Sequence, residues 1–351
     1  MKTILVCGGA GYIGSHMSHL LIEKGYDVVV FDNLSTGRRD FVPKGATFIE
    51  GDLRDPKAIE AVFTKHKIDA VMHFAAAISV PESVSDPLKY YENNITGCIN
   101  LFKAMLAHGV KKIVFSSTAA VYGEPERNPI EETNRTLPTN PYGYTKLVIE
   151  QLLKDLDTSS GLKYIALRYF NAAGSHPSGR LGQWHPNLTN IVPAIMRVIR
   201  GDQDKLSIFG DDYPTDDGTC IRDYIHVQDL CQAHLLALKK LNTGSKSDVF
   251  NLGSGVGYSV KQVVDTVESI TSKKVPHVIV GRRAGDPSKL VASYAKAKNV
   301  LGWQPENGLE EIISSAWKFE RIGHARHCEQ TEGNFRHCEE AFRPTKQSLI
   351  R

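Results

Sequence analysis

Apolar runs of strand length alternate with stretches of helical period through the first half of the chain. Residues 4–7, 28–31, 70–74 and 113–116 are short strand-like runs, the pattern of strands buried on both faces of a sheet. Between and after them, Met17, Leu20 and Leu21, and later Ile149, Leu152, Leu153 and Leu156, recur at the spacing of one helix face. Pro141, behind Thr139 or Asn140, reads as the opening residue of the second of these helices. The alternation predicts an α/β fold, a doubly wound parallel sheet over residues 1–170.

From about Asn171 the pattern loosens into loops rich in Gly, Pro and Asp, with shorter helical stretches near 191–199 and 227–241. Residues 171–321 therefore read as a smaller mixed α/β lobe at the C-terminal side, suited to holding a substrate. The run 292–319 is the last with a core-forming pattern, so the fold is expected to end near Arg321. The tail 322–351 repeats Arg326-His327-Cys328-Glu329 as Arg336-His337-Cys338-Glu339. Two His-Cys pairs suggest zinc, but they lack the usual two-to-four-residue ligand spacing. With few apolar residues to make a core, the tail is expected to be a disordered extension without a metal.

Composition narrows the class. With 41% hydrophobic and 23% charged residues and a net charge of +3, the chain reads as an ordinary globular protein with no nucleic-acid partner. The start Met1-Lys2-Thr3-Ile4-Leu5-Val6-Cys7 is basic then apolar, but Gly8 and Gly9 interrupt it too early for a signal-peptide core. No apolar run reaches the roughly 18 residues a membrane span needs. Six scattered cysteines without a framework spacing, Cys7, Cys98, Cys220, Cys231, Cys328 and Cys338, read as reduced thiols. A cytoplasmic location without membrane attachment is expected.

The first strand leads directly into Gly8-Gly9-Ala10-Gly11-Tyr12-Ile13-Gly14, which opens a helix. Gly8 permits a tight turn, Gly11 lets the backbone approach a pyrophosphate, and Gly14 allows the helix to pack closely on the sheet. The helix N-terminus, at Tyr12 and Ile13, adds positive potential. Eighteen residues after Gly14, Asp32 stands at the end of the second strand, where its carboxylate can accept from a ribose 2′-hydroxyl and repel a 2′-phosphate. That combination predicts a Rossmann domain binding NAD, although Arg38 and Arg39 lie near enough to a 2′-phosphate position to keep NADP open. Asp52 and Leu53 follow the next strand-like stretch where an adenine would lie, and Phe74-Ala75-Ala76-Ala77 offers small residues beside a cofactor path.

Tyr142 and Lys146 are four residues apart on the predicted helix, so they share a face. The spacing is expected to bring the ammonium to the phenol. A free phenol titrates near ~10; a nearby cation and a positive nicotinamide favour the phenolate, making Tyr142 a general base or acid near neutrality. Ser116-Ser117-Thr118 follows a strand at the carboxyl edge of the sheet. Thr118 is the first choice for a hydroxyl partner and Ser117 the second.

These residues, with Arg168-Tyr169-Phe170-Asn171, Asp217-Gly218-Thr219-Cys220-Ile221-Arg222-Asp223-Tyr224-Ile225-His226-Val227 and Arg282-Arg283-Ala284-Gly285-Asp286, resemble the extended short-chain dehydrogenase/reductase family. Within it the chain is similar to the branch that epimerises UDP-sugars at C4, over about residues 2–320. The resemblance implies that Asn33, Asn94, Ser116 and Phe170 join the cofactor contacts, and that Asn171, Asn190, Arg222, Arg283 and Asp286 hold the UDP part. It also implies a homodimer built on two helices per subunit.

The activity implied is interconversion of UDP-galactose and UDP-glucose, a step of galactose metabolism. Tyr142, helped by Thr118, would remove the 4-hydroxyl proton while hydride leaves C4 for NAD+. The resulting 4-keto sugar would turn over while UDP stays anchored, and hydride would return to its other face.

Three positions depart from the family pattern. Ala76-Ala77-Ile78-Ser79 stands where bacterial members often carry a lysine, Thr118 replaces the more familiar serine, and Leu290 occupies a position of variable bulk beside the sugar. Leu290 leaves N-acetylhexosamine substrates open, and UDP-glucuronate and UDP-pentoses would use the same three catalytic candidates. Dehydratases and decarboxylases of the family need an acidic residue just after the Thr118 position, where Ala119 and Ala120 supply none. A noncatalytic NAD sensor is the alternative of another class; it would have no need of Thr118, Tyr142 and Lys146 together.

Overall fold

The structure, a computed structural model, describes residues 2–184, 190–283 and 286–330, the side chains of 324–330 excepted. The chain divides into two compact units. The first comprises residues up to Phe170 together with Leu230–Leu252 and Ser293–Gln304; the second comprises Asn171–Asp229, Gly253–Ala292 and the chain from Pro305.

The first unit is a seven-stranded parallel sheet. Its strands are β1 (Thr3–Cys7), β2 (Asp27–Asp32), β3 (Thr47–Glu50), β4 (Ala70–His73), β5 (Lys112–Thr118), β6 (Lys163–Tyr169) and β10 (Asp248–Leu252). They lie in the order β10-β6-β5-β4-β1-β2-β3. Val6 pairs with Val30 on one side and with Met72 on the other. The chain runs outward from β1 through β2 and β3, then restarts at β4 and runs the other way. The carboxyl ends of β1 and β4 thus flank the switch point where open α/β sheets bind ligands. Leu5, Phe31, Val71, Ile113 and Phe115 on the strands, with Leu101, Met105, Ile149 and Leu153 on helices, form one buried cluster.

All four strands anticipated from the apolar runs are present, the fourth extended to Thr118. The two returns of the chain to this unit are a difference from the sequence reading, in which 171–321 is one continuous lobe. Val249, Phe250 and Leu252 give β10 its apolar character, and the strand extends the sheet beside β6.

In the second unit, β9 (Ile221–His226) is the hub. It pairs with β7 (Asn171–Ala173) and β13 (Lys289–Leu290) in parallel and with β11 (Gly257–Ser259) antiparallel. A separate parallel pair joins β8 (Leu206–Phe209) to β12 (His277–Val280). Val192, Ile195, Ile199, Ile208, Tyr224, Val263, Val267, Ile312 and Ile313 form its core. The helix Leu309–Gln330 carries the backbone past Arg321, where the sequence pattern ends; the second His-Cys pair, with the rest of 331–351, lies outside the described residues.

Candidate active site

The phosphate cradle is set by backbone geometry at two glycines. Gly8 has φ +78° and donates its N–H to the Phe31 carbonyl at 2.9 Å; a Cβ there would come within 2.5 Å of the Ala75 nitrogen. A Cβ on Gly14 would come within 2.1 Å of the Gly8 carbonyl oxygen. Gly11 caps the helix Tyr12–Glu23 without a side-chain bond, so the first-turn N–H groups, which have no partner inside a helix, face the end where an anion would sit.

Asp32 is buried at the end of β2, its carboxylate accepting from the N–H groups of Ala10 (2.9 Å) and Leu34 (2.8 Å). Burial raises its pKa and those backbone bonds oppose the rise. The two arginines that kept NADP open are engaged locally. Arg38 forms a two-pronged ion pair with Asp40, and the Arg39 guanidinium lies 4.3 Å from the Phe48 ring centre.

Asn33 donates to Asp52 at 2.9 Å, and Arg54 beside Asp52 holds that carboxyl well below the usual carboxylate range. Leu53 is buried next to Gly97. Asn94, also buried, bonds both the N–H and the carbonyl of Ala77 and the Thr145 hydroxyl. It therefore fixes the segment after Phe74, whose ring packs 4.8 Å from His234. Glycines without room for a Cβ, a helix N-terminus and a buried carboxylate on the second strand fit a dinucleotide. When bound there, NAD+ supplies a hydride acceptor.

The catalytic candidates meet along one line. Asn140 caps the helix Pro141–Ser160 by accepting from Gly143 N–H at 2.9 Å, and Pro141 occupies the first turn. Tyr142 is half-buried; burial pushes its phenol up to about 12, while a hydrogen bond from the Thr118 hydroxyl acts in the other direction. Lys146 is buried, and burial lowers its ammonium to about 8, so it remains a cation at neutral pH. Holding that charge inside costs roughly 3 kcal/mol, comparable with the gain from one well-packed leucine.

Here the structure corrects the sequence expectation. The Lys146 ammonium does not bond the phenol; it donates to the Ser116 carbonyl at 2.7 Å and lies 4.9 Å from the centre of the Phe115 ring. Lys146 shares the helix face of Tyr142, one turn along the helix Pro141–Ser160. Ser117, the second choice for the hydroxyl partner, donates instead to Glu150. Sequence reasoning also missed Tyr169, whose hydroxyl bonds that of Ser116 and whose pKa is raised chiefly by burial and, to a lesser extent, by Tyr142. Phe170 follows it and donates its N–H to the Leu252 carbonyl at 3.3 Å.

The second unit gathers most of the substrate candidates around β9. Arg222 pairs with Asp286, Leu290 on β13 lies in register with Arg222, and Asn171 donates to the Asp223 carbonyl at 3.1 Å. The Arg283 guanidinium sits 3.8 Å from the Phe209 ring centre. Asn190 is exposed at the start of the helix Ile191–Arg200 and caps it without a side-chain hydrogen bond. Asp223, quoted in a motif but given no role from sequence, is buried and accepts from the N–H groups of Ser254, Gly255 and Ala292. It organises the turn beside β9 that its neighbour Arg222 projects from.

The chain matches the NAD dependent epimerase/dehydratase family over residues 4–253. It is 51% identical over 318 residues to a UDP-glucose 4-epimerase of Lacticaseibacillus casei, covering 90% of this chain and 96% of that one. A crystal structure of UDP-glucose 4-epimerase from Brucella ovis in complex with NAD is 44% identical with TM-score 0.88, covering 91% of this chain and 99% of that one. The enzyme from Bifidobacterium longum, in complex with NAD+ and UDP, is 39% identical with TM-score 0.87, covering 92% and 98%.

Proposed function

The chain belongs to the NAD dependent epimerase/dehydratase family, and on that premise we propose that it is an isomerase interconverting UDP-galactose and UDP-glucose through transient oxidation at sugar C4. The observation that carries this reading is the buried Lys146 ammonium donating to the Ser116 carbonyl at the strand end that bears Thr118, one turn along the helix from Tyr142, in the unit that also holds the glycine cradle and Asp32. Dinucleotide binding falls to Gly8, Gly11, Gly14 and Asp32, with Asn33, Asp52, Leu53 and Asn94 shaping the rest of the path. Nucleotide anchoring falls to Asn171, Asn190, Arg222, Arg283 and Asp286, arginine suiting the pyrophosphate through its forked donors.

Tyr142 takes the proton from the sugar 4-hydroxyl and later returns it. Thr118 donates to the phenol oxygen as its charge develops, and the Lys146 ammonium favours that charge. Purified protein incubated with UDP-galactose and no added cofactor is expected to form UDP-glucose. Absence of conversion by protein that carries NAD would overturn the UDP-hexose assignment and direct the search to UDP-glucuronate, UDP-pentoses and UDP-N-acetylhexosamines.

The pairing of two copies is part of the same proposal. Helices Val80–Ser85, Pro87–Tyr90 and Pro141–Ser160 expose Val84, Leu88, Tyr144 and Val148, with Leu88 72% and Val84 64% accessible. Large apolar side chains grouped in this way suit a protein partner. The wild type is expected to elute as a homodimer and Leu88→Asp as a monomer in light-scattering chromatography; a monomeric wild type would defeat the proposal. The cytoplasm is the proposed location, supported by the reduced thiols Cys7, Cys98 and Cys220 and by the lack, among the described residues, of a helix long and apolar enough to cross a membrane. Recovery in a membrane or secreted fraction would contradict it.

A further inference from the structure

Successive residues at the end of β5 engage one face of the helix Pro141–Ser160, two of them through hydrogen bonds. Ser116 accepts from Lys146 through its carbonyl, Ser117 donates to Glu150 through its hydroxyl, and the Thr118 hydroxyl acts to lower the pKa of the Tyr142 phenol. On the helix these partners stand at spacings of four, Tyr142, Lys146 and Glu150. The contacts at Lys146 and Tyr142 involve the catalytic candidates themselves. The contact at Glu150 has no role in the chemistry described above, yet it is the most heavily built.

Glu150, Ser117 and Arg168 are all buried. Arg168 on β6 grips both carboxylate oxygens of Glu150, its Nε lying 2.9 Å and 3.2 Å from them. Its Nη1 donates to the Tyr122 hydroxyl at 2.9 Å, and Tyr122 donates to Asn251 on β10 at 2.7 Å. An ion pair removed from water gains little net stability, but a two-pronged guanidinium–carboxylate contact has one geometry and fixes whatever is attached to it. Here it ties the helix to β5, β6 and β10 together.

We propose that Glu150, held by Arg168 and Ser117, is a positioning residue for the epimerase reaction: it sets the register between the strand end bearing Thr118 and the helix face bearing Tyr142 and Lys146. Proton transfer from a sugar hydroxyl depends steeply on that register, since a displacement of about 1 Å can cost about a hundredfold in rate. Glu150 has a second effect through charge. The titratable groups that act on the Lys146 ammonium are Cys98 on the helix Gly97–Ala107, Glu150 on its own helix and His73 on β4. Burial holds His73 down at about 3 and Cys98 up at about 12, so both are neutral near pH 7 and the carboxylate is the anion that steadies the ammonium.

The test uses full-length Ser117→Ala and Glu150→Gln proteins. Ser117→Ala removes one hydroxyl and leaves the ion pair; its kcat on UDP-galactose is expected to fall about tenfold, with KM within about twofold of wild type, and Glu150→Gln to fall about a hundredfold. The inference rests on the proposed activity, so a second readout needs no turnover. The unfolding free energy of each protein is compared with that of its Lys146→Met counterpart from about pH 6 to 10.5.

A lysine whose folded-state pKa lies below its unfolded value destabilises the fold fully at low pH, and the destabilisation is relieved as pH rises from the folded toward the unfolded value. In wild type the relief should begin near about 8, and in Glu150→Gln at distinctly lower pH. Ser117→Ala with wild-type kcat, or an unchanged onset in Glu150→Gln, would overturn the inference. If Glu150→Gln does not fold, kcat of Ser117→Ala decides. If wild type converts no UDP-galactose, the functional proposal fails by itself and the onset of the lysine titration decides this one.

Discussion

Tyr142→Phe is expected to lower kcat for UDP-galactose by about a thousandfold, within the range found when a general acid–base group is removed, while the protein folds and keeps its NAD. The substitution deletes one oxygen from a half-buried ring and leaves its packing unchanged. Thr118, beside that oxygen, keeps the bond its Oγ1 accepts from the Ala120 N–H at 3.1 Å, so the strand end holds its place. None of the cradle contacts involves the phenol oxygen. KM should therefore stay within about threefold, because what is lost is an interaction needed only as the proton moves.

The pH dependence gives the same prediction a second edge. Without ligands, burial holds the Tyr142 phenol up at about 12 against the hydrogen bond from Thr118. Turnover near neutrality requires added positive charge at the site, from Lys146 and from the nicotinamide, to bring the phenol down. The wild-type rate should then rise with pH on the acid side as the phenolate becomes available, and that limb should be absent from the residual rate of Tyr142→Phe. Thr118→Ala should be milder alone and add little to Tyr142→Phe, since the two act as one unit. A Tyr142→Phe protein with kcat within tenfold of wild type would show that another group moves the proton.

The difference between what could and could not be read from sequence follows the range of the interactions involved. The cradle was legible because its physics is local: strand, glycine spacing and helix start fall within twelve residues of one another, and Asp32 closes the next strand. Pro141 and Asn140 announced their helix for the same reason. The spacing of Tyr142 and Lys146 gave the shared face but not the direction of the ammonium, which is decided by the Ser116 carbonyl on a strand thirty residues earlier.

Glu150 illustrates the limit further. Four residues after Lys146, it reads as half of an ordinary helix-surface ion pair; in the fold it turns to Arg168 on β6, and the lysine turns to β5. The membership of β10 in the first sheet was hidden likewise, because a local apolar pattern identifies a strand without saying which sheet will take it. Asp223 was overlooked because a lone acidic residue in a motif carries no sign of the three N–H groups, from Ser254, Gly255 and Ala292, that converge on it.

Gly14→Ala is expected to yield protein that purifies with little or no NAD and melts about 5 °C or more below wild type. Two effects oppose each other. Alanine in place of glycine within a helix is worth up to about 1 kcal/mol in its favour. Against that, the new Cβ would lie 2.1 Å from the Gly8 carbonyl oxygen and 2.8 Å from its carbon, and neither is a side chain that can rotate away. Forced overpacking of this kind typically costs about 1–3 kcal/mol and occasionally more, and a domain of this size loses roughly 2–4 °C per kcal/mol.

The clash therefore wins, and it is relieved by separating the helix start from the glycine turn, which opens the surface that would cradle a pyrophosphate. Gly25→Ala is the control: it meets nothing within 4 Å but has φ +79°, so it carries backbone strain without touching the cradle. It should lose about 1 kcal/mol and retain NAD. Cofactor content, released by acid and assayed enzymatically, separates the cases. Stoichiometric NAD in folded Gly14→Ala would mean that the close approach of Gly8 and Gly14 is a packing feature of the sheet and that the dinucleotide is held elsewhere.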